Sequence, residues 1–181
     1  MMVRVSDQVD QVELRPARED DLPMLEELTQ NPDKTGEFQW TGWSDLRRWR
    51  REWAENGLVG PEGGTLIVAR GIRRLGLVQW RRHPLGRTAY SWEVGIMLLP
   101  EERGQGYGTW AQRLLVRYLF AHTTVYRIWA GTEVNNIAEQ KALEKAGFTR
   151  EGNIRAGGWR DGAWRDGVIY SLLRSDPAAS W

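Results

Sequence analysis

Apolar positions along this chain switch repeatedly between a period of two and a period of three to four. Val12-Glu-Leu-Arg15 alternates as a short strand that Pro16 ends. Leu22, Leu25 and Leu28 then recur on one helical face, with Asp20 or Asp21 as cap, Pro23 in the first turn and Asn31-Pro32 as the stop. Residues 33–43 carry no period. Ser44 reads as the N-cap of a second helix with Leu46, Trp49 and Trp53 on one face and Gly57 at its end. Thr65 to Ala69 and Leu75 to Trp80 are β-rich runs joined through Gly71-Ile-Arg-Arg74 as a hairpin; His83 to Arg87 is the next turn, and Thr88 to Leu99 the next strand. From Tyr107, residues Trp110, Ala111, Leu114, Leu115, Tyr118 and Leu119 keep helical spacing, which predicts a buried face with Gln112, Arg113 and Arg117 in water. Tyr126 to Thr132 reads as a strand, Asn136 to Ala146 as a short helix stopped by Gly147, and Phe148 to Ile154 and Val168 to Leu173 as the last strands. Trp159-Arg-Asp-Gly162 repeats as Trp164-Arg-Asp-Gly167, a tandem copy that reads as hairpin-loop chemistry with Asp161-Gly162 as the turn. Periodicity alone predicts an α/β or α+β domain.

Composition narrows the class. With 181 residues, 41% of them hydrophobic, one well-buried domain over 1–181 is expected, with a core over 12–174 and mobile tails at 1–11 and 175–181. No apolar run approaches the roughly 20 residues that span a bilayer, and the first eleven residues lack a signal-like core, so the expectation is a soluble cytoplasmic protein without a membrane partner. The absence of cysteine excludes a disulfide framework, a thiolate zinc site and an acyl-cysteine intermediate, and no metal is expected. Twenty-five basic against 24 acidic residues argue against a dedicated nucleic-acid binder, and the basic run Arg47, Arg48, Arg50, Arg51 reads as a solvated helix face. Most of the eleven tryptophans are expected to pack in the core. Trp40 and Trp43 fall outside any period and are the candidates for lining a pocket.

The densest chemical signal is Arg103-Gly104-Gln105-Gly106-Tyr107-Gly108, set between an apolar strand and an amphipathic helix. Glycine admits positive φ and lets an anion approach backbone N–H groups, which stand free at a helix N-terminus. The pattern predicts a phosphate cradle. It is neither a Walker loop, which needs Gly-Lys-Ser/Thr, nor a dinucleotide fingerprint, whose order is G-x-G-x-x-G.

Arg103-x-x-Gly106-x-Gly108 after Glu93-Val-Gly-Ile-Met-Leu-Leu-Pro100 resembles the acyl-CoA pyrophosphate loop of the GNAT superfamily of N-acetyltransferases. Asn136-Ile-Ala-Glu-Gln-Lys-Ala-Leu-Glu-Lys-Ala-Gly-Phe148 resembles that superfamily's second motif. With Arg150 to Arg155 and Asp166 to Arg174, the likeness is nearest the branch that acetylates N-terminal amines of ribosomal proteins, and it covers Val12 to Arg174. It implies a mixed sheet of about six to seven strands, splayed between the fourth and fifth, with helices on both faces. It also implies acetyl-CoA as acyl donor and direct transfer to a primary amine, a small molecule or a peptide N-terminus, in a chain that could form a homodimer.

By the same resemblance, Gln105, Gly106, Tyr107, Gly108 and Thr109 offer N–H groups to the pyrophosphate, with Gly104 in the loop and Arg103 flanking it. The backbones of Met97, Leu98 and Leu99 pair with the pantetheine arm, Asn136 contacts CoA, and Glu37, Phe38, Trp40 and Trp43 lie where the acceptor site forms. Glu93 is the candidate base. The family's usual proton donors are absent: Leu143 stands at the tyrosine position and Glu139 at the serine position. Glu139 is then either the acid or, the preferred reading, the partner of Asn136 in a capping box. The missing donors leave a non-catalytic acyl-CoA-binding module as the alternative.

Overall fold

Strand β3 (Gly63–Arg70) sends Leu66 and Val68 into one core and Ile67 and Ala69 into another. Period-two alternation thereby makes a sheet with two buried faces. The computed structural model describes residues 11–179. In chain order the other elements are β1 (Glu13–Pro16), α1 (Leu22–Gln30), α2 (Pro32–Thr35), α3 (Arg48–Asn56), β2 (Val59–Gly60), β4 (Arg73–Leu85), β5 (Ala89–Leu98), α4 (Tyr107–His122), β6 (Arg127–Glu133), α5 (Ile137–Lys145), β7 (Thr149–Arg160) and β8 (Ala163–Leu173). Leu22, Leu25 and Leu28 of α1 and Trp49 of α3 cover one face. Ala111, Leu115 and Leu119 of α4 and Leu143 of α5 cover the other.

The strand order is β1-β3-β4-β5-β6-β8-β7, with β2 beside β3. Neighbours are antiparallel except β5 and β6, which run parallel over two rungs, Trp92 with Ile128 and Glu93 with Trp129. Beyond Glu93 the two strands part. The mixed, splayed sheet is therefore as expected, and β2 is the addition, a two-residue strand that no apolar pattern marks.

Several local expectations change. Helix α3 begins at Arg48, because Asp45 rather than Ser44 turns the chain, its carboxylate accepting from the Arg47 N–H at 2.9 Å. Leu46 consequently lies outside the helix and is 65% exposed. On α4, Gln112 is buried with Val116 and Phe120, so the buried face is rotated toward it, while Trp110, Leu114 and Tyr118 are only partly covered. Strands β7 and β8 extend to a tight turn at Asp161-Gly162, where both residues have positive φ, the conformation of a two-residue hairpin loop.

Asp21 does not cap α1 with its side chain. Its fully buried carboxylate accepts from Arg15 (2.6 and 2.9 Å), Arg74 (2.6 Å) and the Arg18 N–H (2.8 Å), tying β1, α1 and β4 together. Residues 1–10 and 180–181, where most of the tails were expected, lie outside the described residues. Ala178 and Ala179 pack against the α4 face of the core.

Candidate active site

The parting of β5 from β6 opens a cleft of about 560 Å³ with α4 at one end and α5 along one side. Gly106 is the N-cap of α4 at φ +85°, and no side chain caps it. The first-turn N–H groups of a 16-residue helix therefore face the cleft with no intrahelical partner. Gly104, Gly106, Gly108 and Thr109 line this end, which makes the loop fit for an anion. Gln105 turns its amide back to the Glu101 carbonyl (2.8 Å), and the Tyr107 ring is buried beneath, its hydroxyl accepting from Arg70 at 3.3 Å.

Arg103 lines the cleft, but its guanidinium is committed to carbonyls. It donates to Leu98 (3.0 Å), to Thr35 (3.2 Å) and to Lys34. Burial lowers its pKa against the nearby charge of Glu101. The side chain expected to flank a phosphate thus fastens the 34–36 segment to the end of β5.

The phase of β5 also differs from expectation. The Ile96 carbonyl accepts from the Gln39 amide at 2.7 Å and the Leu98 carbonyl from Arg103, so both face the opening. The Leu99 N–H donates to Leu75 at 2.9 Å, toward β4, and alternation turns the Met97 backbone the same way. The open edge belongs to Ile96 and Leu98; of the expected trio, Met97 and Leu99 are engaged elsewhere. Strand alternation carries this information, but its phase is set by the β4 register.

Along the other wall stand Asn136, Ala138, Glu139, Lys141, Ala142 and Lys145. The Asn136 side chain caps α5 by accepting from the Glu139 N–H (3.3 Å) and donates to Thr132 (2.9 Å). No capping box closes: the Asn136 N–H goes to the Glu133 carbonyl, and the Glu139 carboxyl accepts from Gln112 at 2.7 Å. Burial pushes Glu139 up to about 7, against the hydrogen bond from Gln112, which lowers it. The Gln112 carbonyl oxygen is itself buried without a partner. Leu143, at the position of the family's tyrosine, is fully buried in the core. Lys141 and Lys145, two of the chain's three lysines, were not singled out; their signal was an i, i+4 repeat on the helix that follows Asn136.

Glu93 is not in this cleft. It lines a second cavity of about 740 Å³ with Arg48, Glu52, Glu62, Gln79, Arg81 and Gly95 among others. Arg81 holds its carboxylate in a bidentate pair at 2.5 and 2.8 Å. The two spaces meet on one strand, Glu93 to Gly95 facing the second cavity and Ile96 to Leu98 the cleft. Glu37 and Phe38 line the cleft, and both approach Arg160, at 3.9 Å between charged atoms and 5.4 Å over the ring. Trp40 and Trp43 stack edge to face at 5.9 Å, line neither space, and Trp43 is 82% exposed. Among the described residues no group of His, Asp and Glu is placed to hold a metal, and no helix is long and apolar enough to cross a membrane.

A glycine-capped helix N-terminus at the mouth of a parted parallel strand pair defines an acyl-CoA type of site, and the chain belongs to the acetyltransferase (GNAT) domain family, whose model matches residues 11–149. It is 40% identical over 58 residues to the probable N-acetyltransferase YjcK of Bacillus subtilis (strain 168), a match over 32% of each chain, so it spans about a third of the curated relative it matches. In fold it is similar to spermidine N-acetyltransferase from Vibrio cholerae in complex with CoA and spermine, with a TM-score of 0.80 and 19% identity over 92% of this chain and 98% of that one. Mycobacterium smegmatis RimJ in complex with CoA-disulfide gives a TM-score of 0.75 and 21% identity over 93% and 86%. These two likenesses establish the fold.

Proposed function

We propose that this protein is an N-acetyltransferase that moves the acetyl group of acetyl-CoA directly to a primary amine held in the second cavity. The observation that carries the reading is the meeting of two spaces on β5. A cleft that can take the pyrophosphate at the α4 N-terminus and the pantetheine arm along Ile96 and Leu98 is lined by the residues of β5 that directly follow those lining the Glu93 cavity.

In this arrangement the amine attacks the thioester carbonyl, the C–N bond forms and the C–S bond breaks. Of an ammonium's three protons, one remains on the amide, one reaches the departing sulfur and one leaves to solvent. Glu93 is the acceptor of the first proton lost, and Glu139, protonated near neutral pH by its burial, is the donor to the sulfur. An N–H of the open β5 edge is the partner for the developing oxyanion.

A buried carboxyl in the cleft weakens the alternative of a non-catalytic acyl-CoA-binding module, which stood on the missing tyrosine and serine. The stretches that carry the likeness to the ribosomal-protein branch, residues 150–155 and 166–174, belong to β7, β8 and the turn after them and line neither space. That likeness therefore leaves the acceptor open between a peptide N-terminus and a small amine.

The test is titration of acetyl-CoA followed by tryptophan fluorescence, with free-thiol release measured against a panel of amines and peptides. Saturable binding with amine-dependent thiol release supports the transferase. Saturable binding with no release above the rate in buffer moves the protein to the binding-module reading.

A further inference from the structure

Three carboxylates and two arginines line the second cavity, and how the carboxylates are paired bears on what it accepts. Each carboxylate lining it is already paired: Glu52 with Arg48 at 3.0 Å, Glu62 with Arg82 at 3.0 Å, and Glu93 with Arg81 at 2.5 and 2.8 Å. A site for a multiply charged cation needs carboxylates free of such partners, and each of these three already holds an arginine. A bare alkylammonium ion entering beside Glu93 also meets the Arg81 charge at the same point.

The Arg81–Glu93 pair is at the same time open to a ligand. Arg81 uses Nε and one terminal nitrogen on Glu93, its other terminal nitrogen has no hydrogen-bond partner among the described residues, and its side chain is 74% exposed. The Glu93 side chain is 20% exposed. A ligand carrying both signs of charge a few ångströms apart can place its anion on Arg81 and its ammonium on Glu93, so that neither protein charge is left unpaired. A guanidinium is the side chain best shaped to read a carboxylate in this way. At Gly95, two residues along the strand, there is no side chain between this pair and the cleft, and the nearest neighbour of a Cβ built there is the Gln79 amide at 3.5 Å.

We infer that the acceptor is an amine bearing its own carboxylate near the reactive nitrogen, as in a free amino acid, and that Arg81 is the residue that selects it. This rests on the transferase reading and on the second cavity being the acceptor's.

Thiol release is measured with the common α-amino acids, their carboxamides and spermidine, on the wild type and on Arg81→Gln. The expected result is kcat/KM at least tenfold higher for an amino acid than for its carboxamide and for spermidine. In Arg81→Gln that preference is lost, with a higher KM for the amino acid and the KM for acetyl-CoA unchanged. A preference for spermidine or for carboxamides, or an amino-acid preference that survives Arg81→Gln, overturns the inference while leaving the transferase standing. Thiol release with none of the three classes, acetyl-CoA still binding, defeats the transferase reading for these amines and this inference with it.

Discussion

Glu139→Gln separates the buried carboxyl from everything else in the cleft, because glutamine keeps the shape and still accepts the Gln112 hydrogen bond. The Glu139 carboxyl titrates at about 7 in the folded protein against an ordinary value of 4.5. Between those values the folded chain holds a proton that the unfolded chain has released, so wild-type stability falls as pH rises through this window and stays low above it. At about 1.4 kcal/mol per pH unit the interval amounts to about 3.5 kcal/mol at most. The variant has no such proton to lose. Urea unfolding followed by tryptophan fluorescence at pH 4.5 and pH 8 is therefore expected to find the variant gaining about 2–3 kcal/mol on the wild type between the two. A difference that stays constant across the window would refute the buried, late-titrating carboxyl. In turnover the same proton has the opposite value: kcat is expected to decline above about pH 7 in the wild type and to be lower in Glu139→Gln by about a hundredfold. If the stability shift is found and kcat is untouched, the carboxyl is buried as described but does not protonate the sulfur.

Gly106→Trp is expected to abolish acetyl-CoA binding at a cost of about 1–2 kcal/mol in stability, since φ is +85° there and a side chain would stand at the α4 N-terminus; unchanged affinity by fluorescence titration would remove the phosphate-cradle assignment. Asp21→Ala leaves Arg15 and Arg74 without their shared carboxylate and is expected to cost about 3–5 kcal/mol in urea unfolding. Burial pushes the Asp21 carboxyl up, but the bonds from Arg15, Arg18 and Arg74 outweigh it and hold it well below its usual range. Its stabilisation is therefore present above about pH 4 and lost as pH falls through that lowered value, a dependence that Asp21→Ala should abolish in acid titrations. Arg103→Met is expected to speed amide exchange at residues 35–39 and to cost about 1–2 kcal/mol, with protection unchanged there as the contrary result.

What the sequence disclosed and what it hid divide along the range of the interactions involved. The glycine loop was legible because positive φ and a free helix N-terminus restrict residue type locally, and so was the Asn136 cap. The Asp161-Gly162 turn was legible for the same reason. Gln112 was placed in water because helical spacing sees only its own helix; its burial depends on a carboxyl 27 positions away on α5. Arg103 was given to a phosphate because its charge is visible in sequence, whereas two of the three carbonyls it serves come from a segment nearly seventy residues earlier. Leu46 followed Trp49 and Trp53 in period, but Asp45 set the start of the helix after it. The strand that lines the cleft was found, and its phase was not, because phase is fixed by pairing with β4 and leaves no mark on composition.

That phase also explains how one strand lines two separate spaces. From Glu93 to Leu98, β5 has four directions to assign. Val94 and Ile96 send side chains into the α4-side core, while Glu93 and Gly95 face the second cavity. Leu99 bonds its backbone to Leu75, keeping the strand in the sheet, and Ile96 and Leu98 turn their carbonyls to the opening. Because backbone direction and side-chain direction both alternate with period two, the residues whose backbones face the opening send their side chains toward the α4-side core, while Glu93 and Gly95 face the second cavity from the opposite side. A shift of register by one residue would turn Glu93 into the core and the Ile96 and Leu98 carbonyls toward β4. The pairing of Val78 with Ile96 and of Trp80 with Val94, both couples buried, holds the strand against that shift. The cleft and the Arg81–Glu93 pair thus depend on a register that apolar packing two residues away maintains.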